Sequence, residues 1–368
     1  MTSWFVVENE AALPSPALLL FRDRIEHNLQ LMLKIAGGPQ RLRPHVKTHK
    51  LGPLVRRQSE LGITKFKCAT IAEAEMTAQA GAADVLLAFP VVGPDASRLI
   101  GLVHTFPQTV FSALVDDSNA LHHLGSTATA SDVTLGVWLD IDSGMHRTGV
   151  APGTLAVDLY RQLSQTSGLR AAGLHAYDGH IHDPDPVTRR AQCEDALAPV
   201  LALRDELVAR GLDVPALVAG GSPTFPFHSE NPDRECSPGT TVLWDFGYGD
   251  QFSDLPFQPA AILFTRVISK LSSTRLCLDL GHKSVASENP HPRVRLLEIP
   301  DAEFVLHSEE HLVLETPRAS EFRVGDALHG IPRHVCPTVA LHGEAVVIQE
   351  KCAIEHWPIS ARNRRVTV

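Results

Sequence analysis

The stretch Arg43-Pro-His-Val-Lys-Thr-His-Lys50 sets Lys47 two residues from both His45 and His49. At a buried strand end an ammonium is costly to desolvate, which drives the amine toward its neutral form. A neutral amine can condense with an aldehyde cofactor. In an extended segment His45 and His49 would share the face of Lys47, which makes His45 a candidate acid–base partner. The competing reading is a basic strand end in solvent. Arg147 lies on the glycine-bounded loop Gly144-Met-His-Arg-Thr-Gly149. It could pair with a phenolate or carboxylate of a ligand, or with Asp140 or Asp142. The run Gly173-Leu-His-Ala-Tyr-Asp-Gly-His-Ile-His-Asp183 supplies Tyr177, which could meet a flat cofactor ring. It also supplies His180 and His182, either of which could act as acid or base near neutral pH. His175 reads as a satisfied core histidine.

Two further constellations suit an anion and a metal. Gly220, Gly221, Ser222 and Thr224 offer backbone N–H groups and hydroxyls that fit a phosphate. Trp244–Asp250, with Tyr248, has the same glycine-rich aromatic character. His334 and Cys336, at i and i+2, would share one face of an extended segment and present imidazole and thiolate to Zn2+. Two protein ligands leave positions open for water or substrate. Mn2+ and Mg2+ are the alternatives. The other cysteines read as buried apolar residues.

These residues need a scaffold. Apolar runs at Ala17–Phe21, Arg41–Val46, Lys65–Ala69, Val85–Phe89, Val110–Val115, Val133–Ile141, Gly173–Tyr177 and Ala216–Gly220 alternate with helical stretches. That rhythm predicts right-handed βαβ units and a parallel (β/α)8 TIM-type barrel, with the reactive groups at strand C-termini. Phe225–Pro238 reads as a surface loop. Beyond Asp250 the texture is short strands only, which predicts an all-β second domain. The expected boundaries are 12–255 for the barrel and 256–368 for the β domain, with 1–11 adding a strand (Trp4–Glu8) to the latter.

Bulk composition narrows the partners. The 368 residues carry a formal charge of −9 and no basic stripe, which argues against nucleic acid. The longest apolar runs are strand-sized, which argues against a membrane span. Met1–Glu10 lacks the pattern of a secretory signal, and six cysteines in so long a chain form no disulfide framework. The expectation is a cytoplasmic protein.

Taken together in this order, the motifs resemble the fold-type III pyridoxal-phosphate (PLP) enzymes, and within them the D-threonine aldolase / D-serine dehydratase family. Arg43–Lys50, Ser143–Gly149, Gly173–Gly179, Gly220–Ser222, Leu278-Asp-Leu-Gly-His-Lys-Ser284, His334–Thr338 and Trp357–Arg362 carry the resemblance. It implies an alanine-racemase-like barrel with a β domain. It makes Lys47 the Schiff-base lysine, places Arg147 and Tyr177 at the cofactor and puts a divalent metal on His334 and Cys336. It also implies a small D-amino acid as substrate and a homodimer with sites at the subunit interface. His-x-Cys is the pair of the dehydratase branch, where the aldolases carry His-x-Asp; Tyr177–His182 and Trp357-Pro-Ile resemble the aldolases. D-threonine cleavage to glycine and acetaldehyde is therefore the leading expectation. Dehydration of D-serine or D-3-hydroxyaspartate is the alternative. A racemase and a PLP carrier without turnover stand behind these.

Overall fold

The computed structural model describes residues 3–368, in two compact units. One comprises Met32–Lys47, Gly52–Gly239 and Asn363–Val368. The other comprises the residues up to Leu31, Thr48–Leu51 and Thr240–Arg362. Among the described residues no helix is long and apolar enough to cross a membrane.

The first unit is built on seven parallel strands in chain order: Lys65–Cys68, Asp84–Pro90, Val110–Val115, Leu135–Ile141, Leu169–Ala176, Leu217–Ala219 and Arg234–Cys236. Helices lie between them, as right-handed crossovers require. Three of the helix starts are specified by side-chain caps. Thr70 accepts from the N–H of Glu73, and the Glu73 carboxylate reaches back to the N–H of Ala69, one residue before the cap, a variant of the capping box on Ile71–Gln79. Asp117 and Asp185 cap Ser118–Ala130 and Pro186–Ala209 by accepting N–H groups of the first turn. Every residue of Leu135–Ile141 is buried, as a strand covered on both faces must be. Leu86, Leu114, Trp138, Ala172 and Val218 pack together as one apolar cluster.

The eighth position is filled by Leu42–His45. Leu42 bridges Cys236 and His45 bridges Lys67, both in parallel. Arg43 N–H donates to Cys236 O, His45 N–H to Pro238 O and Lys67 N–H to Pro44 O. The barrel therefore closes through a segment with no regular ladder. Arg43, 1% exposed, sits at this seam and pairs with Asp84 and Glu235.

Some expectations change. Ala17–Phe21 is no barrel strand; it pairs antiparallel with Ala261–Lys270 and parallel with Glu344–Gln349 in the other unit. Its unbroken apolar run fits any strand buried on both faces, so periodicity could not assign its sheet. Phe225–Pro238 is no loop; it holds a helix, Phe225–Ser229, and the last barrel strand, Arg234–Cys236. Leu217–Ala219, expected as the last barrel strand, is therefore the penultimate one, and Gly220 follows it.

The second unit carries a nine-stranded sheet. Its path runs through Glu303–His307, Leu312–Glu315, Arg275–Leu278, Ala261–Lys270, Ala17–Phe21, Glu344–Gln349 and Cys352–Pro358. Ala327–Pro332 branches from Ala261–Lys270 and pairs with Val294–Leu296. Residues 240–255, expected in the barrel, belong here: Phe246 lies in this unit's core, and Ala260 N–H donates to Leu243 O. Trp4–Glu8 adds no strand. Trp4 instead stacks edge-on against Phe21 under the guanidinium of Arg24, and Glu8 N–H makes one bond to Lys351 O.

Candidate active site

The C-terminal ends of the barrel strands bring three cations to one ring. Lys47 Nζ and Lys67 Nζ each lie 5.6 Å from the centroid of Tyr177, and the Arg147 guanidinium carbon lies 5.2 Å from it. Glycines make room for that ring. A Cβ on Gly179 would stand 2.3 Å from it, and one on Gly221 would stand 3.1 Å from Tyr177 Cε2.

Lys47 belongs to a turn, not a strand. Val46–Thr48 is a 3-10 segment, and His45 Nδ1 accepts from the N–H of Lys47. The expected shared face of His45, Lys47 and His49 is therefore lost, because the chain curls directly after its bridge to Lys67. His49 is fully buried and accepts from Leu51 N–H; burial, with Lys50 beside it, pulls its pKa down to about 3.

Arg147 takes neither of the carboxylates offered to it. Asp142 accepts from the N–H groups of Gly144 and His146 and pairs with His146, which fixes the loop. Asp140 accepts from Thr148 Oγ1 and His175. Gly149 must be glycine: φ is +99°, and a Cβ would meet Asp142 N at 2.6 Å. The guanidinium is exposed on Tyr177.

Beneath the ring lies a constellation that the sequence reading missed. Lys67, 2% exposed, meets His175 Nε2 at 3.4 Å, and His175 Nδ1 meets Asp140 Oδ1 at 2.7 Å. An ionised Asp140 only accepts, so His175 Nδ1 carries the proton and Nε2 accepts from Lys67. Burial, with Lys47 nearby, pulls the pKa of Lys67 down to about 7 against the opposing pull of Asp140 and Asp178. Burial also lowers that of His175, with Lys67 adding to it. The available signal was Lys67 itself: a barrel strand is covered on both faces, and an interior lysine there is anomalous.

The expected phosphate loop is braced from below. Thr224 Oγ1 donates to Asp178 Oδ1 at 2.9 Å and accepts from Gly221 N–H at 3.2 Å. This hydroxyl is wholly buried and turned inward, so Thr224 holds the loop and does not offer its hydroxyl to a ligand. Ser222 Oγ accepts from Gly239 N–H. Asp178 also takes His228 Nε2 at 2.7 Å, and Cys193 Sγ lies 3.4 Å from that nitrogen. Burial opposes ionisation of Asp178, but the bond and charge of His228 and the Thr224 hydroxyl together outweigh it, and its pKa is lowered. Asp178, Cys193 and His228 are close enough together to suggest a metal site. However, two ligands each about 2.0–2.1 Å from a tetrahedral ion stand well over 3 Å apart. A separation of 2.7 Å is a hydrogen bond.

His180 packs against the Arg147 loop, with its Nε2 2.9 Å from where a Gly144 Cβ would be, and its Nδ1 is buried with no partner among the described residues. His182 is exposed, with Nδ1 donating to His180 O.

In the second unit, His334 precedes a helix, Val335–Leu341, so the pair expected on an extended segment sits on a helix start instead. The two side chains still meet. Burial would lower the pKa of His334, but hydrogen bonding to Cys336 and Glu288 lifts it to about 9. Burial would raise that of Cys336, but His334 lowers it. Cys336 Sγ donates to Thr48 Oγ1 at 3.2 Å, and Thr48 is the residue after Lys47. Asp245 accepts from the N–H groups of Tyr248 and Val335, which ties this turn to Phe246–Gln251. Tyr248 packs edge-on between Trp244 and Phe252.

A parallel barrel whose closing segment, Leu42–His45, runs into Lys47, with a mostly-β companion unit, defines a class: the chain belongs to the family described as alanine racemase, N-terminal domain, which matches residues 21–244. A serine dehydratase domain description matches residues 260–348. The chain is 28% identical to a D-threonine aldolase of Arthrobacter sp, over 96% of this chain and 93% of that one. It is 27% identical to a 3-hydroxy-D-aspartate aldolase of Paracoccus denitrificans, over 97% and 94%. A D-threo-3-hydroxyaspartate dehydratase of Delftia sp. matches at 27%, over 58% of this chain and 56% of its own. The crystal structure of a D-threonine aldolase from Filomicrobium marinum superposes with a TM-score of 0.89 at 29% identity, covering 98% of this chain and 99% of that one.

Proposed function

We propose that this protein is a PLP- and divalent-metal-dependent lyase of D-3-hydroxy-amino acids, acting as a D-threonine aldolase. The observation that carries the reading is the placement of Lys47 and Arg147 on the Tyr177 ring, beside a braced glycine loop. A primary amine, a flat ring, a glycine cradle and a cationic surround fit a phosphorylated aromatic aldehyde. The lyase names of the full-length relatives support the same reading.

In this reading Lys47 holds the cofactor covalently. Tyr177 meets its ring, Arg147 its oxygen and Gly220–Ser222 its phosphate; Tyr248 joins the cofactor residues through the resemblance. When bound, PLP supplies an electron sink for whichever bond at Cα breaks. His334 and Cys336 fit a metal by the chemistry of their donors, imidazole and thiolate, with Zn2+ favoured over Mn2+ and Mg2+. The metal supplies a Lewis acid for the 3-hydroxyl. His180, whose Nδ1 is unclaimed, is better placed than the exposed His182 to hold a proton in the site. The protein acts in the cytoplasm as a homodimer, a location that six free cysteines support.

The His334-x-Cys336 pair favours a second reading, dehydration to a keto acid and ammonia. One assay separates the two. The PLP- and metal-loaded protein is incubated with D-threonine and, separately, with D-serine and D-3-hydroxyaspartate. Glycine plus aldehyde, abolished by EDTA, supports the aldolase. Keto acid plus ammonia replaces it with the dehydratase. Chelator-insensitive racemisation would overturn both.

A further inference from the structure

The reading above leaves one buried amine without a role. Lys67 lies in the barrel interior and is level with His45, to which it is bridged, so it sits two residues below Lys47 on the neighbouring position. A lysine is rarely placed where water cannot reach it unless its partners are specified. The partners here are specific. Tyr177 lies above it, and His175 accepts from it with a ring fixed by Asp140, which Thr148 fixes in turn. The charged groups around it are Lys47 and Arg43 on the seam segment, Asp140 on Leu135–Ile141 and Asp178 after Leu169–Ala176. An amine facing a carboxylate-oriented imidazole is an arrangement that moves a proton.

We propose that Lys67 is a second proton-exchanging amine of the Tyr177 site, served by the Asp140–His175 pair, whose charge acts on the ring that Lys47 holds. It is a positioning residue in the electrostatic sense: it works through the field at the cofactor and through Lys47. The proton it releases leaves Nζ through His175 Nε2, where Asp140 stabilises the transient imidazolium, and is taken up by solvent base, so that the net loss falls on Lys67. No bond to carbon changes in this step. Near neutral pH the amine is divided between its two forms, in line with its pKa of about 7. Below that midpoint the site carries one more positive charge beneath the ring than above it.

The inference rests on Lys47 and Tyr177 being the cofactor residues, and two measurements keep the two ideas apart. The first is a pH titration of the lysine 13Cε resonances in cofactor-free full-length protein, with Lys67 assigned by the signal lost in Lys67→Met. A midpoint near 7, moved to lower pH in Asp140→Asn, is expected; a midpoint near the ~10.4 of exposed lysines overturns the proposal. The second is the absorption spectrum of PLP-loaded protein against pH. The wild type is expected to show a transition with the same midpoint, absent in Lys67→Met and in the permanently charged Lys67→Arg. A transition that persists unchanged in both variants overturns the proposal while leaving the proposed function intact. If PLP gives no Lys47-dependent band at all, the functional reading falls and this inference falls with it. Both variants must retain the Lys47-dependent band, which reports that the barrel has folded.

Discussion

Replacing Arg43 by methionine should destabilise the barrel unit by about 3 kcal/mol. The guanidinium makes three charge-assisted bonds: Nη1 to Asp84 Oδ1 at 2.6 Å, Nη2 to Asp84 Oδ2 at 3.1 Å and Nε to Glu235 Oε2 at 2.7 Å. Its side chain is 2% exposed, Glu235 is 14% and Asp84 is 31%. Removing one partner of a buried ion pair costs ~3–5 kcal/mol, chiefly because the other charge is left uncompensated. Here Glu235 retains Lys65 and Asp84 is partly wetted, which places the cost at the lower end of that range. At ~2–4 °C per kcal/mol for a unit of this size, the melting transition should fall by about 6–12 °C. The assay is urea unfolding of the wild type, Arg43→Met, Asp84→Asn/Glu235→Gln and the combined triple variant. The triple should recover more than half the loss, since it buries no orphan charge. A cost below about 1 kcal/mol for Arg43→Met, or a triple no better than the single, would refute the reasoning. The pH dependence has a definite sign. Burial resists ionisation of Glu235, but Arg43 and Lys65 outweigh it and hold its folded pKa below the ordinary value. Its contribution is therefore present above the unfolded pKa of ~4.3 and is lost as pH falls through the lower folded value. The gap between wild type and Arg43→Met should close in that acid range and stay constant from pH 5 to 8.

Other perturbations probe the site. Asp178→Asn should weaken PLP retention about tenfold by loosening the Thr224 brace, while Cys193→Ala leaves both retention and bound-metal content unchanged; a metal lost with Cys193 would show that Asp178, Cys193 and His228 hold an ion after all. Gly220→Ala places a Cβ 2.3 Å from His228 Cδ2 at φ +78°, so equilibrium dialysis should show at least tenfold weaker PLP binding. EDTA should abolish turnover in a way that added Zn2+ or Mn2+ reverses for the wild type but not for Cys336→Ala, measured by aldehyde release. Sedimentation velocity should give a dimer, and a monomer with full activity would remove the interface from the reading.

Much of the scaffold can be read in the sequence because most of the parallel barrel strands are apolar runs and several of their helices carry explicit caps, as at Thr70, Asp117 and Asp185. Membership of a sheet is less legible. Ala17–Phe21 has the apolar run of a barrel strand, and only its partners, 240 and more residues away, assign it elsewhere. Arg234–Cys236 is a three-residue strand with two charged members, whose backbone pairing overrides a loop-like composition. At the site, Lys47, Arg147 and Tyr177 stand in motifs with local logic, and the structure brings them together. Lys67 and the Asp178–His228 brace have no local signature. Their meaning comes from partners 108 and 50 residues away. Thr224 illustrates the opposite error, since a hydroxyl beside a glycine loop need not face the ligand.

The seam at Leu42–His45 gives the barrel an uneven resistance to opening. Every other stave is held by a ladder, whereas this one has a single bridge on each side and runs straight into Lys47. Whatever Lys47 binds is thereby anchored to the stave with the fewest backbone contacts, held otherwise by the ion pairs of Arg43. Occupancy and closure become linked quantities, with ligand at a hundred times its dissociation constant adding about 2.7 kcal/mol to the closed form. The amide protons of Arg43, His45 and Lys67 should then be the barrel's slowest to exchange when the site is filled and among its fastest when it is emptied, so that cofactor loss is the first event of barrel unfolding.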